Sequence, residues 1–246
     1  MIAVLQPVVW RPRQFDLIWA PRHDGVARHL VESGLVVETL TAPSAVTLAA
    51  MSDAAERLSR VLPLVSPPVV GVLVGGPSRS HRFGGAEADE LAAGLGAFAR
   101  AHEASLLVTT SRRTPPGTAA AIRQALPEDR HFIHDAGAGE IPPEGLAPGD
   151  VYAGILGLAD VIVATNDSVA MMSEAAATAK PLYGWRLPGG KARFDRFYDG
   201  LIDHGALRWF DGGLRSWNYP PLDAAGTIAD AIKARLDLAI PVKHRI

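Results

Sequence analysis

Residues 159–184, ADVIVATNDSVAMMSEAAATAKPLYG, restrict the fold of this chain more than any other segment. The β-branched run 161–163 has the character of a buried strand. Asn166, Asp167 and Ser168 follow, carrying the short oxygen-bearing side chains that satisfy free N–H groups in a first helical turn. Residues 169–179 are rich in Ala and Met and predict a helix. Lys180-Pro181 stops it, and 182–184 start the next strand. Small residues along the helix let it lie close on a parallel sheet, so the segment is a β-α-β unit. Its strand-to-helix turn points free N–H groups at the C-terminal edge of that sheet, a place that favours anions and phosphate above all. Glu174 lies two turns into the helix among alanines, where a carboxylate needs a reason.

The same rhythm extends along the chain. Apolar runs at 2–5, 16–19 and 35–40 read as short strands, and 43–62 as a connector with an amphipathic helix, Leu48, Met51, Ala55 and Leu58 falling at helical spacing. Ser66-Pro67-Pro68 marks a boundary. Beyond it, strands are expected at 69–74, 106–109, 131–134, 161–163 and 182–184, with a short sixth at 208–210. Helices are expected over 86–102, up to residue 126, near 152–158 and over 227–236. Strands separated by helices imply an α/β fold, a Rossmann-like, doubly wound parallel sheet. Residues 1–65 carry three short strands and little helix, too little to cover both faces of a parallel sheet. They read as the remnant of an N-terminal domain plus a linker helix, set before a C-terminal domain at 66–246. Alternatively, they extend the main sheet or pair with a second copy of the chain.

Composition excludes several classes. A formal charge of −2 at pH 7 gives no bulk case for nucleic acid or an anionic membrane. With no cysteine, disulfides, zinc ribbons and thiol catalysis are out. No apolar run approaches the roughly 20 residues that span a bilayer, and no charged-then-apolar leader is present. A cytoplasmic protein is the default expectation. Arginine outnumbers lysine by 20 to 4, a bias that high genomic GC content would produce, so only the placement of individual arginines informs.

Ligands bind at the C-terminal ends of the strands in an open parallel sheet. The turn after the first regular strand holds Gly75, Gly76, Ser78, Arg79, Ser80, His81 and Arg82; two glycines admit close backbone approach, and the hydroxyls and guanidinium groups donate to oxygen anions. Ser111, Arg112 and Arg113 follow the second strand, Asn166–Ser168 the fourth, and Trp185-Arg186 the fifth. That convergence suits a diphosphate. The bland alternative is that loops are polar anyway, that Asp167 and Ser168 are plain helix caps, and that Glu174 is a solvated helix-face residue rather than an acceptor for ribose hydroxyls. His23 beside Asp24, just past the strand at 16–19, is a candidate general base with its carboxylate, although adjacent residues on an extended chain point apart.

Other motifs fail. Gly189-Gly190-Lys191 is followed by Ala192 where a Walker A loop has Ser or Thr, and Gly75-Gly76 lacks the G-x-G-x-x-G pattern, which weakens a dehydrogenase reading. His131 and His134 read as strand residues rather than metal ligands. Asn166–Ser168 matches a glycosylation sequon without a secretory context. No D-x-D motif and no metal site are found. Trp10, Trp19, Trp185, Trp209 and Trp217 line a cleft or, more commonly for large aromatics, pack.

The runs GVLVGGPSRSHRFG, VTTSRRTP, LADVIVATNDSVAMMSEAAATAKPLY, ARFDRFYDGLIDHGALRWF and WNYPPLDAAGTIADAI, with FDLIWAPRHDG ahead of them, resemble in order and spacing the bacterial and plant "elongated mitochondria" fission family. Its members are similar to GT-B glycosyltransferases, in which two Rossmann-like domains face each other across a cleft. The resemblance implies that residues from about 67 onward form a GT-B-type donor-binding domain, with the N-terminal, acceptor-side domain incomplete. It implies that the Gly75–Ser78 turn holds the donor diphosphate, that Ser168 starts the phosphate-facing helix, and that Glu174 binds ribose. The implied partners are a nucleotide-diphosphate sugar as donor substrate, with no further cofactor, and a cell-envelope acceptor; the implied place is the cytoplasm or the inner-membrane periphery. His23 is then the remaining candidate base. The competing expectation is a non-catalytic scaffold that keeps the fold.

Overall fold

The computed structural model describes residues 15–62 and 65–239, with side chains to residue 236. The strand expected at 2–5 and Trp10 lie outside the described residues.

Six strands form one parallel sheet: β3 (Val69–Val74), β4 (Ser105–Thr110), β5 (His131–His134), β6 (Val161–Thr165), β7 (Leu182–Trp185) and β8 (Leu207–Trp209), in spatial order β5-β4-β3-β6-β7-β8. The chain starts in the middle, runs to one edge, returns to the middle at β6 and runs to the other edge. This is the Rossmann-like order, and its topological switch point lies between β3 and β6. Val70, Val72 and Val74 pack into the core beneath α3 (Gly85–His102) and α4 (Thr118–Ala125), whereas Leu73 packs into the core beneath α5 (Asp150–Leu158), α6 (Val169–Ala177) and α7 (Ala192–Asp203). Alternate residues of a strand point to opposite faces, so one continuous apolar run serves both layers.

The N-terminal strands form a sheet of their own. β1 (Ile18–Pro21) and β2 (Val36–Thr39) pair in parallel as a two-stranded sheet around Ile18, Ala20, Leu30 and Val36, with α1 (Arg28–Glu32) between them. They do not extend the main sheet. The helix at 48–61, α2 (Leu48–Val61), packs flat on α5. Two glycines of α5 make this possible: a Cβ on Gly157 would lie 2.4 Å from the Met51 carbonyl oxygen, and one on Gly154 would lie 2.8 Å from Leu58 Cδ2. Arg57 pairs with Asp150 across the same contact. Lys180, which ends α6 in sequence, sends its ammonium to the carbonyls of Leu156 (2.7 Å) and Gly157 (2.6 Å) at the C-terminus of α5, where a cation is favoured. α8 (Ala224–Ala239) packs against β2, with Arg235 donating to the carbonyls of Asp16 and Gly34.

Most strand expectations match to within two residues, and the helix expected at 227–236 begins at Ala224. Two helices were not expected, α1 and α7. The signal for α7 was present: Phe194, Phe197, Tyr198 and Leu201 sit at i, i+3, i+4 and i+7, and all four are buried. Among the described residues no helix is long and apolar enough to cross a membrane.

Candidate functional site

The switch point is held shut by Asp167. Its side chain is fully buried and accepts from Gly76 N–H (3.0 Å), from Thr165 Oγ1 (2.7 Å) and from Arg113 Nη2 (3.2 Å). The Gly75 N–H donates to Thr165 Oγ1 at 2.8 Å. The backbone donors of both glycines, expected to face a ligand phosphate, are therefore engaged within the chain. The glycines are required for another reason: a Cβ on Gly75 would lie 2.1 Å from Asp167 Oδ1, and one on Gly76 would lie 2.2 Å from the Arg113 carbonyl oxygen. Close approach is real, but it is the approach of two neighbouring turns.

The other turn residues divide into scaffolding and free charge. Ser78 Oγ accepts from the N–H groups of Ser80 (3.2 Å) and His81 (3.0 Å) and so folds its own turn. Ser111 contacts Thr114, whose hydroxyl reaches the Val74 and Gly75 carbonyls and ties the turn after β4 to the end of β3. Ser168 is the N-cap of α6, accepting from Met171 N–H at 3.3 Å. Val169 and Ala170 are then left with first-turn N–H groups that have no acceptor inside the helix. Arg79, Arg82, Arg112 and Arg186 are exposed along this edge, Arg82 donating to Glu87 and Arg186 lying 3.6 Å over the ring of Trp209. Of the two arginines that follow β4, Arg113 is the one that bridges the turns: its guanidinium reaches both the Pro77 carbonyl and Asp167.

Glu174 points elsewhere. Its two oxygens accept from Ser44 Oγ (2.8 Å) and from the Tyr152 hydroxyl, so a loop before α2 and a residue of α5 occupy both acceptors. Burial and the adjacent carboxylate push the Tyr152 phenol far above its usual range, which keeps it a donor. Next to it, Ser173 Oγ accepts from Ala42 N–H at 3.0 Å. Two neutral hydroxyl groups on one carboxylate is the hydrogen-bonding pattern a ribose diol would make, here satisfied internally.

His23 and Asp24 lie in a short 3-10 turn (Arg22–Asp24) after β1, where the small sheet meets α7. Arg196 donates twice to the His23 carbonyl (3.0 and 2.7 Å), and the ring packs edge-on to Phe197 at 5.2 Å between centroids. Its Nε2 is 3.9 Å from Asp24 Oδ1, and its Nδ1 is buried without a partner. Burial lowers the His23 pKa, the Asp24 charge opposing this and the Arg193 and Arg196 charges adding to it.

A buried histidine of the switch point had no assigned role. His81 bridges to Gly189, packs on Phe194, and lies 3.4 Å through Nε2 from the Tyr198 hydroxyl, which donates to the Asn166 carbonyl. Its Nδ1 is unpartnered and burial lowers its pKa. Asn166 Oδ1 accepts from Leu187 N–H, so this residue fastens β6 to the turn after β7. The tryptophans pack: Trp185 against Phe210, Trp209 against Tyr198, Trp217 against Tyr183, and Trp19 donates to Thr39. Among the described residues no group of three or more His, Asp and Glu is placed to hold a metal ion.

The structure thus ties the turns carrying Gly75, Gly76, Ser111 and Asp167 together at the C-terminal ends of β3, β4 and β6, and Arg79, Arg82 and Arg112 are exposed on these turns. His23 and Asp24 sit in the 3-10 turn packed against α7, and Glu174 faces Ser44 and Tyr152 instead.

Comparison with known proteins adds the lineage. The model of a family described as Mitochondrial fission ELM1 matches residues 1–236. A curated "Mitochondrial fission protein ELM1" of Arabidopsis thaliana is 28% identical over 245 residues, spanning 91% of this chain and 55% of that protein. An "Uncharacterized protein RP120" of Rickettsia prowazekii (strain Madrid E) is 28% identical over 138 residues, spanning 53% of this chain and 36% of that protein. The chain covers about half the length, or less, of these curated relatives.

Proposed function

This chain belongs to the mitochondrial fission ELM1 family, and from that premise we propose that it binds a nucleotide-diphosphate sugar at the switch point of its six-stranded sheet and acts as a GT-B-like, metal-independent glycosyltransferase on a cell-envelope acceptor. The observation that carries the reading is the strand order β5-β4-β3-β6-β7-β8, which gathers the turns after β3, β4, β6 and β7 around one crevice. In this reading the diphosphate is met by the exposed guanidinium groups of Arg79, Arg82 and Arg112 and by the first N–H groups of α6. Gly75 and Gly76 shape the crevice without donating. The transfer joins an acceptor hydroxyl oxygen to the anomeric carbon, breaks the bond from that carbon to the phosphate oxygen, and gives the hydroxyl proton to a base. His23 is the proposed base; it sits in the turn packed against α7, so the acceptor hydroxyl would have to bridge from there to the switch point. The leaving diphosphate is stabilised by the arginines and backbone donors.

A second reading has its own observation. Asp167 fills the seat beside the two glycines, and Ser44 with Tyr152 fills Glu174, so the fold is self-satisfied at both expected ligand positions. That favours a non-catalytic interaction protein, the role that the printed name of the Arabidopsis relative as a fission protein also fits. Calorimetric titration with UDP, GDP and ADP separates the two. Micromolar binding of one nucleotide, lost in Glu174→Ala, supports the donor site and chooses its class. Binding by none of the three supports the scaffold.

A further inference from the structure

Three neighbouring cavities share lining residues, two where the turn after β1 and the end of β2 meet α7 and the 221–227 segment, the third between that segment, α2 and α6. The first, about 520 Å³, is walled by Arg22, His23, Arg196, Asp199, Asp203 and His204. The second, about 300 Å³, shares Arg22, Leu40 and His204 with the first. The third, about 560 Å³, shares Leu222, Asp223 and Ala224 with the second and ends on Val46, Leu48, Met51 and Ala177. Shared walls make them one groove, and its chemistry changes from end to end. The His23 end carries Arg22, His23, Arg196, Asp199 and Asp203, and the Met51 end is mainly apolar, with Ser44, Thr47, Ser173 and Asp223 among its lining. Leu48 stands 58% exposed at the aliphatic rim, one of few large apolar side chains so placed among the described residues. A concave, mainly apolar pocket with polar groups at one end is how proteins hold small amphiphiles.

The charges of the polar end decide the head group. Glu38, Asp199, Asp203 and Asp223 line the first two cavities, against Arg22 and Arg196. Arg196 gives two of its N–H donors to the neutral His23 carbonyl and keeps its charge, so two guanidinium groups face four carboxylates. An anionic head would meet more carboxylate than guanidinium. A neutral polyhydroxyl head would donate to the carboxylates and accept from Arg22, with His23, more than nine-tenths buried, in the same wall. We propose that this groove binds a single-chain amphiphile with an uncharged saccharide head, the head against Asp199, Asp203 and His23 and the alkyl chain running past Leu222 to Leu48. As a statement about the acceptor of sugar transfer this rests on the transferase reading; as a statement about binding it does not.

The probe is n-dodecyl-β-maltoside, titrated calorimetrically below its micelle concentration into the full chain, beside maltose and dodecyl phosphate. Dodecyl maltoside binds, and each of the other two binds at least roughly tenfold more weakly, since each lacks one half of the match. Leu48→Arg and Asp203→Ala are both changes at exposed positions, and each weakens dodecyl maltoside by roughly tenfold without moving the melting temperature. A diazirine placed on the alkyl chain labels peptides from 42–51 and 221–226, a readout independent of the variants. Absence of binding, equal binding of dodecyl phosphate, indifference to both variants, or labelling elsewhere overturns the proposal. Nucleotide binding is scored separately: a chain that takes UDP but no alkyl maltoside loses this groove and keeps its donor site, and the converse result does the reverse.

Discussion

A Cβ added to Gly75 would lie 2.1 Å from Oδ1 of Asp167, so the turns that follow β3 and β6 meet at a distance only a glycine allows. The contact sits at the switch point of the sheet, and the carboxylate is fully buried there among the Gly76 N–H, the Thr165 hydroxyl and Arg113. Gly75→Ala must move one turn away from the other. We expect a loss of about 1–3 kcal/mol, the usual cost of overpacking, measured as a lowered urea midpoint at unchanged slope.

Removing Asp167 is expected to cost more than removing its cationic partner. Asp167→Ala strands a buried N–H, a hydroxyl and a guanidinium, for a loss of about 3 kcal/mol. The Arg113 side chain is 49% exposed, so solvent already screens it, and Arg113→Ala loses about 1 kcal/mol or less. Paired denaturation curves check the order; equal losses would show that the ion pair, not the backbone hydrogen bonding, holds the crevice.

Glu174 can serve a ribose only if it is released from its own chain. Tyr152→Phe and Ser44→Ala each remove one competing donor. If Glu174 binds a nucleoside diol, each substitution strengthens nucleotide binding by roughly threefold to tenfold, as expected when a hydrogen bond worth about 1 kcal/mol is no longer displaced. Unchanged affinity in both variants would place the diol elsewhere.

Acid should destabilise this protein before its carboxylates titrate. His23 and His81 both have pKa values lowered by burial from 6.5. In the unfolded chain they bind protons as the pH falls through about 6.5, while in the folded chain they do not until lower pH. Their stabilising effect is therefore complete above that value and is lost on acidification. Glu87 and Asp150, whose pKa values are lowered from 4.5 and 3.8 by hydrogen bonds from Arg82 and Arg57, act in the same direction at lower pH. Urea midpoints at pH 7.5 and 5.5 are expected to fall in the wild type and to converge in a His23→Asn, His81→Gln double variant.

The seam between α2 and α5 gives a control away from the turns of the switch point, although Met51 also lines the proposed groove. A Cβ on Gly157 would lie 2.4 Å from the Met51 carbonyl oxygen, so Gly157→Ala pushes the helices apart and is expected to cost about 1–3 kcal/mol in thermal or urea unfolding. Nucleotide binding should survive it under native conditions.

Local sequence determined the elements and the lineage. The buried strands at 69–74, 131–134 and 161–165, the cap at Ser168 and the stop at Lys180-Pro181 are written in short-range pattern, because strand period, capping hydroxyls and proline act over a few residues. The apolar spacing of α7, with Phe194, Phe197, Tyr198 and Leu201 on one face, is equally legible, and this helix carries the contacts of His23. What the tertiary structure alone decided is partnership. Gly75-Gly76 reads as a ligand turn until Asp167, some 90 residues on, takes the Gly76 N–H and Thr165 takes the Gly75 N–H. Glu174 reads as a waiting carboxylate until Ser44, 130 residues earlier, and Tyr152 satisfy it. Hydrogen-bond donors and acceptors are assigned by whatever the fold brings within 3 Å or so, and no pattern in a local window encodes which distant residue will arrive.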